Sequence, residues 1–222
     1  MLTLHHLENS RSQRILWLLE ELGLDYDIKL YKRDRATNLA PPELVAIHPL
    51  GKSPVITDGD LTIAESGAII QYLLETYDKD GEFMPEQGGQ AWRDYTYWLH
   101  YAEGSLMPYL VFKLVFTKVE NAPLPFFVKP IARGISEKVN KTFIMPNITR
   151  NLSFIEASLE GKEWFVDDKL SGVDFQMSFP LEAAFSRVDA AGEHPNIAAF
   201  IKRFQARDAY KRALEKGGPY NL

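Results

Sequence analysis

The chain has 222 residues, 45% of them hydrophobic, a formal net charge of −5 and no cysteine. That length and apolar content suit one large or two small globular domains with an ample core, and exclude a disordered chain. The missing cysteine excludes disulfides, thiolate metal sites and a protein-borne redox thiol, and the acidic balance disfavours nonspecific nucleic-acid binding.

Thr3 to Leu7 reads as a first strand. Arg11 to Leu22 reads as an amphipathic helix that ends at Gly23, a residue suited to a C-cap. Tyr26 to Leu30 alternates polar and apolar residues, as a half-buried strand does. A short helix is expected over Glu43 to Ile47. Val55-Ile56-Thr57 and Leu61-Thr62-Ile63, joined through Asp58-Gly59-Asp60, form a hairpin, and Ser66 to Tyr77 is the next helix. The order β-α-β-α-β-β-α is that of a thioredoxin-like domain.

Asp78-Lys79-Asp80-Gly81-Glu82 is polar and carries a glycine, as a linker does. Beyond it helical periods dominate. Trp92 to Val119 reads as one long helix, bent at Gly104 or Pro108. Leu124 to Leu159 contains Pro130 and Pro146, each of which breaks the helix or occupies a first turn. Helices over Asp174 to Val188, Ile197 to Ala206 and Ala209 to Leu214 complete an all-α second domain. The expected division is 1–78 for the α/β domain, 79–88 for the linker and 89–222 for the helical domain.

Two segments carry chemistry. In Gly51-Lys52-Ser53-Pro54 the proline tolerates a cis bond at a strand start, which can leave the Ser53 backbone facing outward to pair with an extended peptide. In Glu65-Ser66 a helix begins whose first N–H groups favour an anion, with the Ser66 hydroxyl beside them and Glu65 able to hold an ammonium group. Together they describe a site for a small ligand that ends in an amino acid. Residues 1–80 carry 8 Lys+Arg against 13 Asp+Glu, so an anion there must rest on Lys52 and backbone dipoles, not on a general basic field.

Ser10 follows the first strand and opens the first helix. Pattern alone favours a capping box with Gln13, in which the serine only satisfies a helix N–H. The dispersed histidines His5, His6, His48, His100 and His194 suggest no metal, and no zinc spacing, Walker loop or dinucleotide glycine pattern is present.

Over essentially its whole length, Leu2 to Leu222, the chain resembles a soluble glutathione transferase of the serine-type bacterial and fungal branch. The resemblance rests on Gly51-Lys52-Ser53-Pro54, on Glu65-Ser66 with Ala68-Ile69-Ile70-Gln71-Tyr72-Leu73, and on Ser171-Gly172-Val173-Asp174. It implies a cytoplasmic homodimer that takes glutathione as co-substrate, uses no metal and joins its thiolate to small hydrophobic electrophiles. Glutathione-dependent peroxide or disulfide reduction, and a binding module without turnover, are the alternatives.

By that resemblance Ser10 activates the thiol, with Asn9 and Ser12 as rivals. Ser53 and Pro54 hold the cysteinyl part, Lys52 the glycine carboxylate, and Glu65 with Ser66 the γ-glutamyl head. Plant-type relatives carry a basic pair about a dozen residues before the proline, where this chain has Leu39 and Ala40, so the glycine end is left to Lys52, with some help from Asn38 or His48. Tyr101 and Met107 are expected to line the electrophile pocket. Ser171 and Asp174 are expected to cap the buried helix of the second domain, a folding role. Lys113, Lys118, Lys129, Arg133, Lys138 and Lys141 read as a solvated basic face. No run approaches 18 apolar residues and the N-terminus lacks signal-peptide regions, which fits a protein away from the membrane.

Overall fold

Strand β1 (Leu2–Leu7) alternates its side chains between two faces, and both are buried. Leu2, Leu4 and His6 point toward helix α1 (Ser12–Glu21), while Leu7 joins Tyr31 and Leu44 in a small cluster on the opposite face. β1 is therefore central. The computed structural model, which describes residues 1–188, 192–218 and 220, places it in a four-stranded sheet of order β2-β1-β3-β4. β2 (Asp27–Tyr31) runs parallel to β1, whereas β3 (Val55–Asp58) and β4 (Leu61–Ala64) form the expected hairpin, antiparallel to it. The short α2 (Pro42–Ile47) covers one face, and α1 with α3 (Ser66–Tyr77) covers the other.

The segment expected as a linker is pinned at both ends. Asp78 accepts the backbone N–H groups of Glu82 and Phe83 at 3.0 and 2.8 Å, and the Phe83 carbonyl accepts Gly172 N–H at 2.8 Å. The rest of the described chain is helical: α4 (Gln90–Tyr101), α5 (Met107–Glu120), α6 (Lys129–Val139), α7 (Met145–Ser158), α8 (Gly172–Arg187), α9 (Pro195–Ala206) and α10 (Asp208–Gly217). Asn221 and Leu222, the end of the expected second domain, lie outside the described residues.

The single long helix expected over Trp92–Val119 is two helices joined by a wide π-helical turn, Ala102–Leu106. A similar turn, Asn140–Ile144, joins α6 to α7. In both cases a proline, Pro108 or Pro146, sits in the first turn of the helix that follows. Proline supplies no N–H and crowds the carbonyl four residues back, and a widened turn relieves the crowding. Pro130 likewise occupies a first turn.

Helix α8 is the centre of the core, buried from Gly172 to Ala184. Its start is closed as expected: the Asp174 carboxylate accepts Ser171 N–H at 2.7 Å, Ser171 Oγ–H at 3.0 Å and Phe165 N–H at 3.1 Å. Trp17 of α1 packs edge-on against Phe175 of α8, ring centroids 4.4 Å apart. The last helix, α10, locks onto α1 through charge. Glu20 accepts from Arg212 and Lys216 at 2.9 and 2.5 Å, and Glu21 holds Arg207 at 2.5 and 2.9 Å. Among the described residues no helix is long and apolar enough to cross a membrane.

Candidate active site

The carboxyl ends of β1 and β2, the cis corner before β3, the tip of α3 and the helices α5 and α8 enclose a cavity of about 500 Å³. Ser10, Lys52, Ser53, Pro54, Glu65, Ser66 and Met107 all line it. The sequence places these residues on four separate segments, and the fold brings them to one space.

Beyond β1 the chain turns sharply at Asn9, a non-glycine residue at φ +49°. The expected Ser10–Gln13 capping box does not form. Arg11 takes the N-cap place with helical dihedrals and makes no side-chain cap, and Ser10 turns inward instead. Ser10 Oγ lies 2.7 Å from Ser12 Oγ and accepts Ser12 N–H at 3.3 Å. Ser12 Oγ lies 2.9 Å from His6 Nδ1. Burial pushes the His6 pKa down to about 4, against the opposing effect of its hydrogen bond to the Gly217 backbone, so the ring is neutral at pH 7.

That neutrality orders the protons. With the ring's one proton placed toward the Gly217 backbone, Nδ1 is the acceptor and Ser12 O–H donates to it. Ser12 Oγ then receives the hydroxyl proton of Ser10. Ser12 is fully enclosed, whereas Ser10 lines the cavity with 6% of its surface exposed. Asn9 also lines the cavity.

Ser53–Pro54 is cis. The Ser53 hydroxyl donates to the His5 carbonyl at 2.9 Å and accepts Leu7 N–H at 3.2 Å, tying the corner to the end of β1. Its backbone N–H and C=O make no hydrogen bond among the described residues, which leaves an open strand edge toward the cavity. Gly51 makes the approach possible: it sits at φ +56°, and a Cβ there would meet Val45 Cγ2 at 2.8 Å. Lys52 is exposed beside it, and Asn38 and His48 line the same end.

Arg33, which the sequence reading missed, stands at that end too. It crosses from β2 to the Ser10 loop, donating to the carbonyls of Glu8 at 3.3 Å, Asn9 at 3.4 Å and Asn38 at 3.1 Å. The available signal was position alone, a basic residue just past the carboxyl end of a parallel strand, where open α/β sheets bind ligands.

Glu65 precedes α3 at φ +71°, ψ +120°, a region sparsely populated by residues with a side chain. The strain holds an exposed carboxylate at the cavity wall beside Ser66, which is helical, 3% exposed and makes no hydrogen bond through its hydroxyl among the described residues. Ser66 lies inside the helix, after the N-cap residue Glu65, and its hydroxyl caps no helix N–H.

Across the cavity the wall is apolar. Met107, Val111 and Leu114 of α5 and Phe179 of α8 face it. Tyr101, expected among them, does not reach the cavity. It packs with Trp98 and Phe154, and its hydroxyl donates to Asn151 of α7. Sequence reasoning also missed the charged floor. Glu103, in the π-helical turn, binds buried Arg14 and accepts Arg11 Nε at 3.1 Å through both oxygens. Burial would raise the Glu103 carboxyl, but the Arg14 and Arg11 guanidiniums outweigh it and hold its pKa below the ordinary range.

The glutathione S-transferase N-terminal domain family matches residues 1–75, and the glutathione S-transferase C-terminal domain family matches residues 119–208. A curated relative, glutathione S-transferase 1 of Saccharomyces cerevisiae, is 38% identical over 97% of this chain and 95% of its own. Glutathione S-transferase 3 of Schizosaccharomyces pombe is 35% identical over 97% of this chain and 88% of its own. Among solved structures, a glutathione S-transferase from Actinobacillus pleuropneumoniae superposes with a TM-score of 0.78 at 39% identity, covering 98% of this chain and 93% of that one. A glutathione transferase of Phanerochaete chrysosporium, solved in complex with oxidized glutathione, superposes with a TM-score of 0.75 at 26% identity, covering 97% and 96%. The two matched families, the full-length relatives and the shared fold agree, and the chain belongs to the glutathione S-transferases.

Proposed function

We propose that this protein is a glutathione transferase that joins the glutathione sulfur to an electrophilic carbon, with Ser10 as the activating hydroxyl. The carrying observation is the single cavity in which Ser10, the open Ser53 backbone and the Glu65–Ser66 tip of α3 face an apolar wall. The Saccharomyces and Schizosaccharomyces relatives bear the transferase name, and the Phanerochaete structure holds oxidized glutathione in the same fold.

In this reading the tripeptide lies extended, with its cysteinyl backbone added to the free edge at Ser53. Its γ-glutamyl carboxylate takes the Ser66 hydroxyl and the first N–H groups of α3, and its ammonium group meets Glu65. The glycine carboxylate goes to Lys52, with Arg33 near the same end. The sulfur then falls beside Ser10. The thiol proton leaves to solvent, Ser10 turns its O–H from Ser12 to the thiolate, and the thiolate attacks. A C–S bond forms while the leaving group departs with its electron pair.

Magnitudes assign the larger share of catalysis to positioning. A free thiol has a pKa of about 8.5, so complete ionisation at pH 7 raises the reactive fraction by at most ~30-fold, less the nucleophilicity lost. Any further acceleration comes from holding thiolate and electrophile together. A homodimer and a cytoplasmic setting belong to the same proposal; the second is supported by a chain without a single cysteine.

Calorimetry with glutathione, followed by turnover of a chloronitroaromatic and of cumene hydroperoxide, tests the reading. Saturable binding and conjugation are expected. Binding without turnover would reduce the protein to a binding module, turnover of the peroxide alone would make it a reductase, and no binding at millimolar glutathione would overturn the proposal.

A further inference from the structure

We propose that the electrophile carries its own negative charge, a carboxylate on an apolar body, and that Arg187 with Arg11 receives it. This rests on the transferase reading and specifies the substrate class of the same site.

The charges on the floor do not balance. Arg11, Arg14 and Arg187 converge there with Glu103 as the one carboxylate in contact. Arg14 is enclosed in the core and takes Glu103 together with the Gln176 carbonyl at 2.5 Å, so that carboxylate is already committed. Arg11 shares it through Nε only, and the two terminal amino groups of Arg11 make no hydrogen bond among the described residues. Arg187, in the last turn of α8, has no ion pair among the described residues. Its Nη1 donates to the Leu110 carbonyl at 3.2 Å, and its Nε is buried with no partner. Arg11 lies near enough that, after burial itself, its charge is the next influence lowering the Arg187 pKa.

Both guanidiniums are half-buried at the cavity wall, and the Arg187 Nε is closed off from water, so a ligand carboxylate there would supply a counter-charge that the protein does not. Glutathione does not supply it in the proposed pose. One carboxylate goes to Lys52 and the other to the tip of α3, both at the sheet side of the cavity. The planar fork of arginine suits a carboxylate with two parallel hydrogen bonds. Met107, Val111, Leu114 and Phe179 line the same cavity and would receive an aromatic or alkyl body. Arg11 also lies over the Phe179 ring, 5.6 Å from its centroid.

The test compares 4-chloro-3,5-dinitrobenzoate with its methyl ester. In both, the thiolate attacks the carbon that bears chlorine, a C–S bond replaces the C–Cl bond, and chloride leaves. Each kcat/KM is divided by the uncatalysed rate with glutathione, to remove the difference in intrinsic reactivity. The wild-type protein is expected to favour the benzoate, and added salt to shrink the preference. Arg187→Met should lower the benzoate-to-ester ratio by roughly 10-fold or more, the loss of one charge-assisted hydrogen bond, and Arg187→Lys should restore part of it. A ratio unchanged in Arg187→Met, or benzoate and ester losing rate together, would overturn the proposal and leave Arg187 a brace for the Leu110 carbonyl. Should Arg187→Met not fold, the wild-type comparison decides: a preference for the ester overturns it. Turnover of neither compound sinks the transferase reading itself, whereas turnover of the ester alone sinks only this one.

Discussion

Ser10 and Ser12 hold their hydroxyl oxygens 2.7 Å apart, and with Ser12 donating to His6 that contact draws the Ser10 proton inward. A thiolate must compete with Ser12 for it. The competition is uneven in charge, because a bond to an anion is about twice as strong as one between neutral groups.

Ser10→Ala removes that donor. The pKa of the bound thiol should rise by about one to two units, because a hydrogen bond to a charged group is worth about 1.5–3 kcal/mol. Glutathione affinity should change little. Thiolate absorbance titrated against pH, beside calorimetric binding, checks both. An unchanged thiol pKa in Ser10→Ala, with a raised one in Asn9→Ala, would transfer the role to Asn9.

Ser12→Ala separates support from chemistry. The buried Nδ1 of His6 loses its donor, which should cost about 1–3 kcal/mol of stability in urea unfolding. Conjugation should persist, because Ser10 then has no inward competitor. Inactivity in a folded Ser12→Ala protein would contradict the proton order derived from His6.

His6 also sets an acid limit on stability. Its pKa is about 4 in the fold and 6.5 as a free side chain, so the unfolded chain takes up the proton first as pH falls. Its contribution is complete above pH 6.5 and is lost progressively from there down to about pH 4. Between pH 8 and 5 the loss should reach about 2 kcal/mol. Urea unfolding of wild type and His6→Asn across that window checks it: the wild-type slope should be the steeper, and equal slopes would refute the buried neutral ring.

Glu65 trades stability for binding. Glu65→Gly relieves a positive φ and should raise stability by a few tenths to about 1 kcal/mol, while glutathione affinity falls through loss of the ammonium contact. Thermal unfolding and calorimetry on one variant read both signs. An affinity equal to wild type would remove Glu65 from the site.

The sheet, the hairpin and α3 were legible because each follows one hydrophobic period over a short span. Helix α3 begins at Ser66 and ends at Tyr77 as read, and the Ser171–Asp174 cap closes as read. Ser53, Glu65 and Ser66 were legible as neighbours in one cavity because a cis-tolerant corner and a helix tip announce themselves locally. The apolar wall was legible only in part: Met107 reaches the cavity as expected and Tyr101 does not. Tyr101 and Met107 lie on either side of the π-helical turn Ala102–Leu106, and an extra residue in a turn shifts the face that a 3.6-residue period would assign. The Arg11–Glu103 contact, 92 residues apart in sequence, exists only once α4 and α5 have docked on α1. The Ser10–Gln13 box failed for a local reason: the Asn9 turn delivers the Ser10 hydroxyl to the Oγ and N–H of Ser12, not to the N–H of Gln13.

Gly217 lies against His6, and a Cβ there would meet Gln13 Oε1 at 2.6 Å. The ring that meets Ser12 is thus flanked by backbone from the far end of the polypeptide. A growing chain that has left the ribosome only as far as residue 78 already owns every residue that would grip the tripeptide, yet not the backbone that fixes the imidazole. The burial that holds the His6 ring neutral is therefore completed last, after synthesis has reached the final helix.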